Sequence, residues 1–342
     1  MNRKLFLNAI VPLFAGIPIP GRSGNLAAED EGALPAKIPP YLLKNDMIGI
    51  TCPAGFITLE EIQPAINKIQ EWGFKVKVGS TIGKRLFTFG GTDEERLADM
   101  QQMLDDTSVK AIMCARGGYG AIRIIDKLNF KRFVSNPKWL IGFSDITVMH
   151  SHISKNYNIG GIHSKMCNSF PADWNLAEQV QRDSIESIRE CLVGEKMKYT
   201  VLPNANNKPG SCSGRLTGGN LKIIESLAGS NSSIQTKNKI LFLEDTGEYL
   251  YSIDRMFWNL KRSGKLGELN GLVVGGFKIK KDDEGEAFGK SLEDIILEKV
   301  QEYHYPVCFD FPVGHQKNNM ALKCGVLHSL AVSDEIVSLT EM

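Results

Sequence analysis

From Asp46 onward, short apolar runs alternate with segments whose apolar residues recur at helical spacing. The run 47–52 ends in Pro53, Ala54 and Gly55, which predicts a strand with a loop at its carboxyl end. Ile62, Ile66, Ile69 and Trp72 then share one helical face and stop at Gly73, a residue suited to a helix C-terminus. Pro64 complicates the start of that helix. Residues 74–78 alternate as a second strand. Thr92 and Glu95 have the spacing of a capping box, and Leu97, Met100 and Leu104 form the apolar stripe of the helix it opens. Residues 109–114 and 139–141 supply a third and a fourth strand. This alternation predicts an α/β fold, with a parallel sheet covered on both faces and ligands bound outside the carboxyl ends of its strands.

The pattern changes near Gly210. A glycine-rich turn at 214–220 precedes a strand at 239–243 that ends in Glu244 and Asp245. A helix at 252–260 turns Ile253, Met256 and Phe257 inward, and apolar runs follow at 271–277 and 305–311. Short strands fill 321–340, so the second half is expected to form a β-rich domain. The expected division is an N-terminal α/β domain at 41–170, a linker at 171–209 and a C-terminal domain at 210–342. The first 30 residues have the layout of a signal peptide: a positive start at Arg3 and Lys4, then a nearly uncharged apolar stretch from Leu5 to Ile19. That stretch is too short and too broken by Pro12 and Pro18 to span a bilayer. An exported or periplasmic protein without stable membrane insertion is therefore expected, with a cytoplasmic one as the alternative.

A length of 342 residues allows two ordinary cores, and a formal net charge of +1 gives no electrostatic footprint for nucleic acid. The seven cysteines are dispersed, with no C-x-x-C pair, and are expected to be buried small apolar side chains. Neither a disulfide framework nor a zinc site is indicated.

Candidate chemistry centres on Ser144, which follows an apolar strand in the sequence Gly142-Phe143-Ser144-Asp145. A serine in a tight strand-to-helix turn projects its hydroxyl, and the N–H groups of the opening helix face whatever that oxygen attacks. The second glycine of the usual hydrolase elbow is replaced by Ile146, so the motif alone is weak. The loop after the third strand, Arg116-Gly117-Gly118-Tyr119-Gly120, opens on the same edge and allows close backbone approach. It lacks the spacing and lysine of a phosphate cradle, and an oxyanion hole shared with the N–H of Asp145 is the favoured alternative. A base is needed as well. His150 and His152 fall on the helix after Ser144, whereas His163 and His315 lie near the sheet edge and across the expected cleft. Glu244, Asp245 and Glu248 are the carboxylates that would orient such a base, and periodicity does not choose among them.

Six motifs in order then add a resemblance: 91–96, 116–120, 141–145, 216–221, 243–245 with 253–256, and Gly314-His315. Together they resemble the LD-carboxypeptidases, a serine peptidase family that also contains the microcin C immunity peptidases. The resemblance covers the chain from about Asp46 to its end. It implies a Rossmann-like first domain, a β-rich second domain, an active site between them and a homodimer. It implies Ser144 as nucleophile, His315 as base and Glu244 as the group that orients it. The oxyanion hole would use the N–H of Asp145 and that of Gly117 or Gly118, and Tyr119 and Asn220 are candidates for substrate contact. No metal or cofactor is required. The implied substrate is a murein tetrapeptide, cleaved between an L-centre and a terminal D-alanine. The alternatives are a peptidase acting on peptidyl or aminoacyl nucleotides, with Trp174 available to stack on a base, and a non-catalytic binder of cell-wall peptides.

Overall fold

A computed structural model describes residues 36–342. The signal-like segment 1–30 lies outside the described residues. The first half contains β1 (Met47–Thr51), α1 (Leu59–Glu71), β2 (Lys75–Val78), α2 (Asp93–Asp105), β3 (Val109–Cys114), α3 (Ala121–Ile124), α4 (Lys131–Ser135), β4 (Trp139–Gly142), α5 (Thr147–Tyr157), β5 (Gly161–His163) and α6 (Gln179–Val193). Next come β6 (Lys198–Val201), β7 (Gly210–Asn220), α7 (Leu221–Ser226), β8 (Lys239–Glu248), α8 (Leu250–Arg262), β9 (Gly271–Ile279) and α9 (Leu292–Val300). The chain ends with β10 (Val307–Cys308), β11 (Leu322–Cys324), β12 (Leu327–Val332) and β13 (Val337–Glu341).

Local chemistry explains the helix starts. Thr58 and Glu61 cap α1 reciprocally, as Thr92 and Glu95 cap α2. Pro64 lies inside α1 rather than ahead of it, because the capping box fixes the start at Leu59, before the proline. Ile62, Ala65, Ile66 and Ile69 give that helix its buried stripe.

The described strands form two sheets, of order β11-β5-β4-β3-β1-β2 and β10-β9-β8-β7-β12-β13-β6. In the first, all neighbours are parallel except β11, which runs antiparallel to β5. In the second, β7 to β10 are parallel and the remaining pairs antiparallel. Alternation along each strand assigns residues to different layers. Trp139 and Ile141 of β4 join Ile240 and Phe242 of β8 and Val273 of β9 in one continuous core between the sheets. Leu140 turns instead toward α2 and α5, while Leu241, Leu243, Leu272 and Val274 turn toward α7, α8 and α9.

Two expected boundaries look different in the structure. The segment 171–209 is built into the fold: α6 packs Ile185, Ile188, Cys191 and Leu192 into the central core, and β6 forms one edge of the second sheet. Its prolines and polar residues obscured an apolar stripe that a tether would not carry. The C-terminal part also returns to the first sheet, where Leu322 pairs with His163 through β11. The cysteines are free, and all but Cys212 are buried. Among the described residues, no helix is long and apolar enough to cross a membrane.

His150 of α5 lies wholly inside, with Nε2 3.0 Å from the carbonyl of Gly142. The space for its ring exists because residue 161 is glycine; a Cβ there would lie 2.5 Å from Nδ1. Burial pushes the imidazole down to about 4, opposed by its bond to Gly142. Between that value and the ordinary 6.5 the unfolded chain binds the extra proton, so this stability is full above 6.5 and lost as pH falls toward 4. Asp145 and Asp245, both raised to about 6 by burial, contribute with the opposite sign, so a single-site comparison is needed. The unfolding free energy of wild type relative to His150→Gln should fall by about 2 kcal/mol between pH 7 and pH 5 in urea titrations. An unchanged difference would show that His150 titrates normally in the fold.

Candidate active site

The first sheet delivers Ser144 by a strained turn. Gly142 has φ of 157° and no room for a Cβ, which would meet Ile146 at 3.0 Å. Ser144 itself has φ of 62°, uncommon for a non-glycine residue and typical of a nucleophile held out of a strand-to-helix turn. A 3₁₀ turn at Ser144–Ile146 then leads into α5. The Asp145 side chain points inward and accepts from the N–H of Ala121 at 2.8 Å, tying the turn to the end of the glycine-rich loop. Burial raises that carboxyl to about 6 against the pull of the Ala121 N–H and the charge of Arg96.

The glycine-rich loop lies against the serine. A Cβ on Gly117 would sit 3.1 Å from Ser144 Cβ and 3.3 Å from its Oγ, so a side chain there would press on the serine. Gly118, with φ of 98°, faces Gly55 instead. The loop is held at two carbonyls: Gly117 accepts from the N–H of Gly55 at 2.9 Å, and Gly120 accepts from Arg96 at 2.8 Å. Arg96 is fully buried and also donates to the carbonyl of Pro53 at 2.6 Å, so one guanidinium joins two loops at the strand ends. Tyr119 is half exposed beside Phe89 on the rim.

The second sheet supplies the other groups. Glu244 ends the apolar part of β8 and is completely buried. Gly314 approaches it so closely that a Cβ would lie 2.3 Å from Glu244 Cβ, and the next residue, His315, places Nδ1 2.5 Å from Glu244 Oε2. An acceptor-only carboxylate on Nδ1 makes that nitrogen the donor and leaves Nε2 to accept a proton. The imidazole also packs on Phe143, the residue before Ser144, with ring centroids 4.9 Å apart. The two sheets thus bring the serine turn and the carboxylate-bound histidine to one cleft.

The geometry separates the remaining candidates. His163 is fully buried, neither ring nitrogen has a partner among the described residues, and its edges pack against Phe143 and Phe242. Burial holds it neutral, well below the ordinary histidine range. His150 and His152 bond to the Gly142 carbonyl and the Ser232 hydroxyl rather than to a carboxylate. Asp245 faces away from the histidine and accepts from Asn220 Nδ2 at 3.0 Å and from the N–H of Lys222 at 2.9 Å. Asn220 in turn caps α7 through Ile223, and its backbone N–H donates to Thr147 Oγ1 at 3.1 Å. Its amide is therefore engaged within the protein at the seam between the domains. Trp174 is covered by the Lys68 ammonium, 3.5 Å from its ring centroid. Sequence reasoning passed over Arg96, although it closes the 91–96 motif. A cavity of about 530 Å³ opens beside the site, with His315, Gln316, Gly276, Lys278 and Leu292 in its wall.

A strained serine at a strand end, whose preceding residue Phe143 packs on a carboxylate-bound histidine from a second sheet, defines the frame of a serine hydrolase. Comparison with known proteins narrows the class. Residues 48–164 match the LD-carboxypeptidase N-terminal domain, and residues 213–330 match the LD-carboxypeptidase C-terminal domain. A probable murein peptide carboxypeptidase of Bacillus subtilis is 31% identical over 87% of this chain and 92% of its own length. The microcin C7 self-immunity protein MccF of Escherichia coli is 24% identical over 88% of this chain and 94% of its own. The crystal structure of muramoyltetrapeptide carboxypeptidase from Oxalobacter formigenes superposes with a TM-score of 0.77 at 26% identity, covering 86% of this chain and 98% of that one. The chain belongs to the LD-carboxypeptidase family and is a serine-type carboxypeptidase hydrolase.

The contact between Gly314 and Glu244 can be tested by comparing two glycines with similar backbone strain. Gly314→Ala meets both a φ of 100° and a Cβ clash, whereas Gly247→Ala meets a φ of 81° with open space around it. Gly247→Ala should destabilise by about 1 kcal/mol and Gly314→Ala by at least about 3 kcal/mol in denaturant titrations. Equal losses would show that the His315 loop yields without cost.

Proposed function

We propose that this enzyme hydrolyses the amide between an L-centre, diaminopimelate or lysine, and a terminal D-alanine in murein tetrapeptides. The observation that carries the proposal is the 2.5 Å contact between His315 and Glu244 beside the Ser144 turn. In this mechanism Glu244 holds the His315 tautomer through Nδ1, and Nε2 takes the Ser144 proton as Oγ attacks the scissile carbonyl. The tetrahedral oxyanion is stabilised by the N–H of Asp145 and an N–H of the Gly117–Gly118 segment, each donor being worth about 10²–10³ in rate. Gly117 is the better supported of the two glycines, since it lies against the serine. His315 then protonates the departing amine, and water, activated by the same histidine, hydrolyses the acyl-serine. The relatives named as murein peptide and murein tetrapeptide carboxypeptidases support the substrate class.

A second reading is an amide linked to a nucleotide, supported by the self-immunity relative and by a neighbouring structure of MccF with glutamyl sulfamoyl guanosine. The covering of Trp174 by Lys68 weighs against that tryptophan as a base-stacking platform. Turnover of a murein tetrapeptide against that of an aminoacyl sulfamoyl nucleotide separates the two. Retained ligand binding with no turnover of either would support a non-catalytic binder.

On the tetrapeptide, Ser144→Ala should lower D-alanine release by at least about 10⁴-fold without changing the melting temperature appreciably. Glu244→Gln should cost about 10³–10⁴-fold, and Glu248→Gln less than about 10-fold. Undiminished release by Ser144→Ala would overturn the nucleophile assignment, and a larger loss at Glu248 than at Glu244 would overturn that of the acid.

A further inference from the structure

Lys165 lies two residues beyond β5, where the first sheet's carboxyl edge meets the loop carrying His315. It is only 9% exposed, yet its ammonium donates at 3.2 Å to a neutral group, the backbone carbonyl of Gln316. Other buried lysines rest on carboxylates, Lys323 on Glu341 at 2.9 Å and Lys299 on Asp254, while Lys138 is satisfied by two carbonyls at the end of α2. Lys165 has one such carbonyl among the described residues. Its partner Gln316 belongs to the wall of the cavity beside His315. Lys278, from the exposed end of β9, stands in the cavity wall with His315 and Gln316. Burial first, and the charge of Lys278 second, push the Lys165 ammonium down to about 8. Glu293 and Asp310 also line this cavity, but neither forms an ion pair with these lysines, and the Asp310 carboxylate accepts from Asn204 at 2.5 Å. A buried ammonium held behind Gln316 by one neutral partner, and a second ammonium on the wall of the same cavity, are both without a paired carboxylate among the described residues, and a bound anion removes that cost.

The reaction geometry says which anion. His315 must protonate the departing amine, so the leaving residue lies on the histidine's side of the scissile bond. In an α-amino acid the carboxylate is one carbon from that amine, and so falls beside the neighbours of His315. We propose that Lys165 and Lys278 form the subsite for the terminal carboxylate of the leaving amino acid, and that this pair restricts the enzyme to carboxy-terminal residues. The inference rests on the peptidase reading above and adds the group that recognises the chain end.

The test uses the full-length enzyme and two versions of one murein tetrapeptide, ending in D-alanine carboxylate or in D-alanine carboxamide. Wild type should prefer the carboxylate by about 10²-fold in kcat/KM, the range expected when a site built for a charged partner loses it. Lys165→Gln should lower kcat/KM on the carboxylate peptide by about 10²-fold and on the carboxamide by less than about 3-fold, with partial rescue by Lys165→Arg. A folding defect would lower both substrates together, so the ratio is the diagnostic quantity. Lys278→Gln, at an exposed position, should reduce the preference by about 10-fold and keeps the test decisive if Lys165→Gln does not fold. A wild type indifferent to the terminal group, or a preference that survives the lysine substitutions, overturns the subsite while leaving the peptidase reading intact. A wild type that cleaves neither peptide overturns that reading, and the subsite falls with it.

Discussion

The face-to-face packing of the two sheets is the interaction on which the rest of the molecule depends. Ser144 comes from one sheet, and Glu244 and His315 come from the other. Their relative position is therefore set by what lies between. Trp139 and Ile141 on one side and Ile240, Phe242 and Val273 on the other are completely buried in that layer. Burying such a side chain contributes roughly 1.5–3 kcal/mol, and truncating a buried Phe or Trp removes about 3–5 kcal/mol. The layer extends to the site as a series of rings: Phe242 on His163 at 4.9 Å, His163 on Phe143 at 5.8 Å, and Phe143 on His315 at 4.9 Å. His163 is part of this series because burial holds it neutral, so a residue that resembled a second base serves as packing.

Close approach at the cleft is obtained by leaving side chains out. Gly117 admits Ser144, and Gly314 admits Glu244. Gly219 plays a related part at the domain seam, where a Cβ would lie 2.5 Å from Thr147 Oγ1, the atom that accepts from the Asn220 N–H. These approaches demand a backbone that does not drift, since a displacement of about 1 Å can cost about 10² in rate. Buried polar side chains supply the restraint. Arg96 holds the loops after β1 and β3, the Asp145 carboxylate holds the start of α3, and Asn319 Oδ1 accepts from the N–H of Gly314 at 2.8 Å.

Where the sequence carried a period or a cap, the element was legible. The Thr92–Glu95 box and the stripe of α2 are examples, as is the apolar run of β8 that leads into Glu244. The serine turn was visible as a strand end, and family likeness gave meaning to its missing glycine. The choice among Glu244, Asp245 and Glu248 was not legible from pattern, because adjacent strand residues face opposite sides and the composition does not say which side holds the histidine. Lys165 left no local signal, since its significance arises only when the loop after β5 meets the residue after His315. The segment 171–209 was misleading for a related reason: an amphipathic helix between prolines looks like a tether until the core that receives Ile185 and Ile188 is known.

One strand period accounts for both the stability and the placing of chemistry in β8. Ile240 and Phe242 face the core between the sheets, while Leu241 and Leu243 face the helices of the second domain. Continuing the alternation turns Glu244 toward the cleft and Asp245 toward α7, where it receives the N–H of Lys222. The two neighbouring carboxylates thus take different partners because the pleat separates them, and neither could exchange roles without a register shift that would also turn Phe242 out of the core. The apolar pattern that builds the domain seam is thereby the same pattern that selects which acid meets His315.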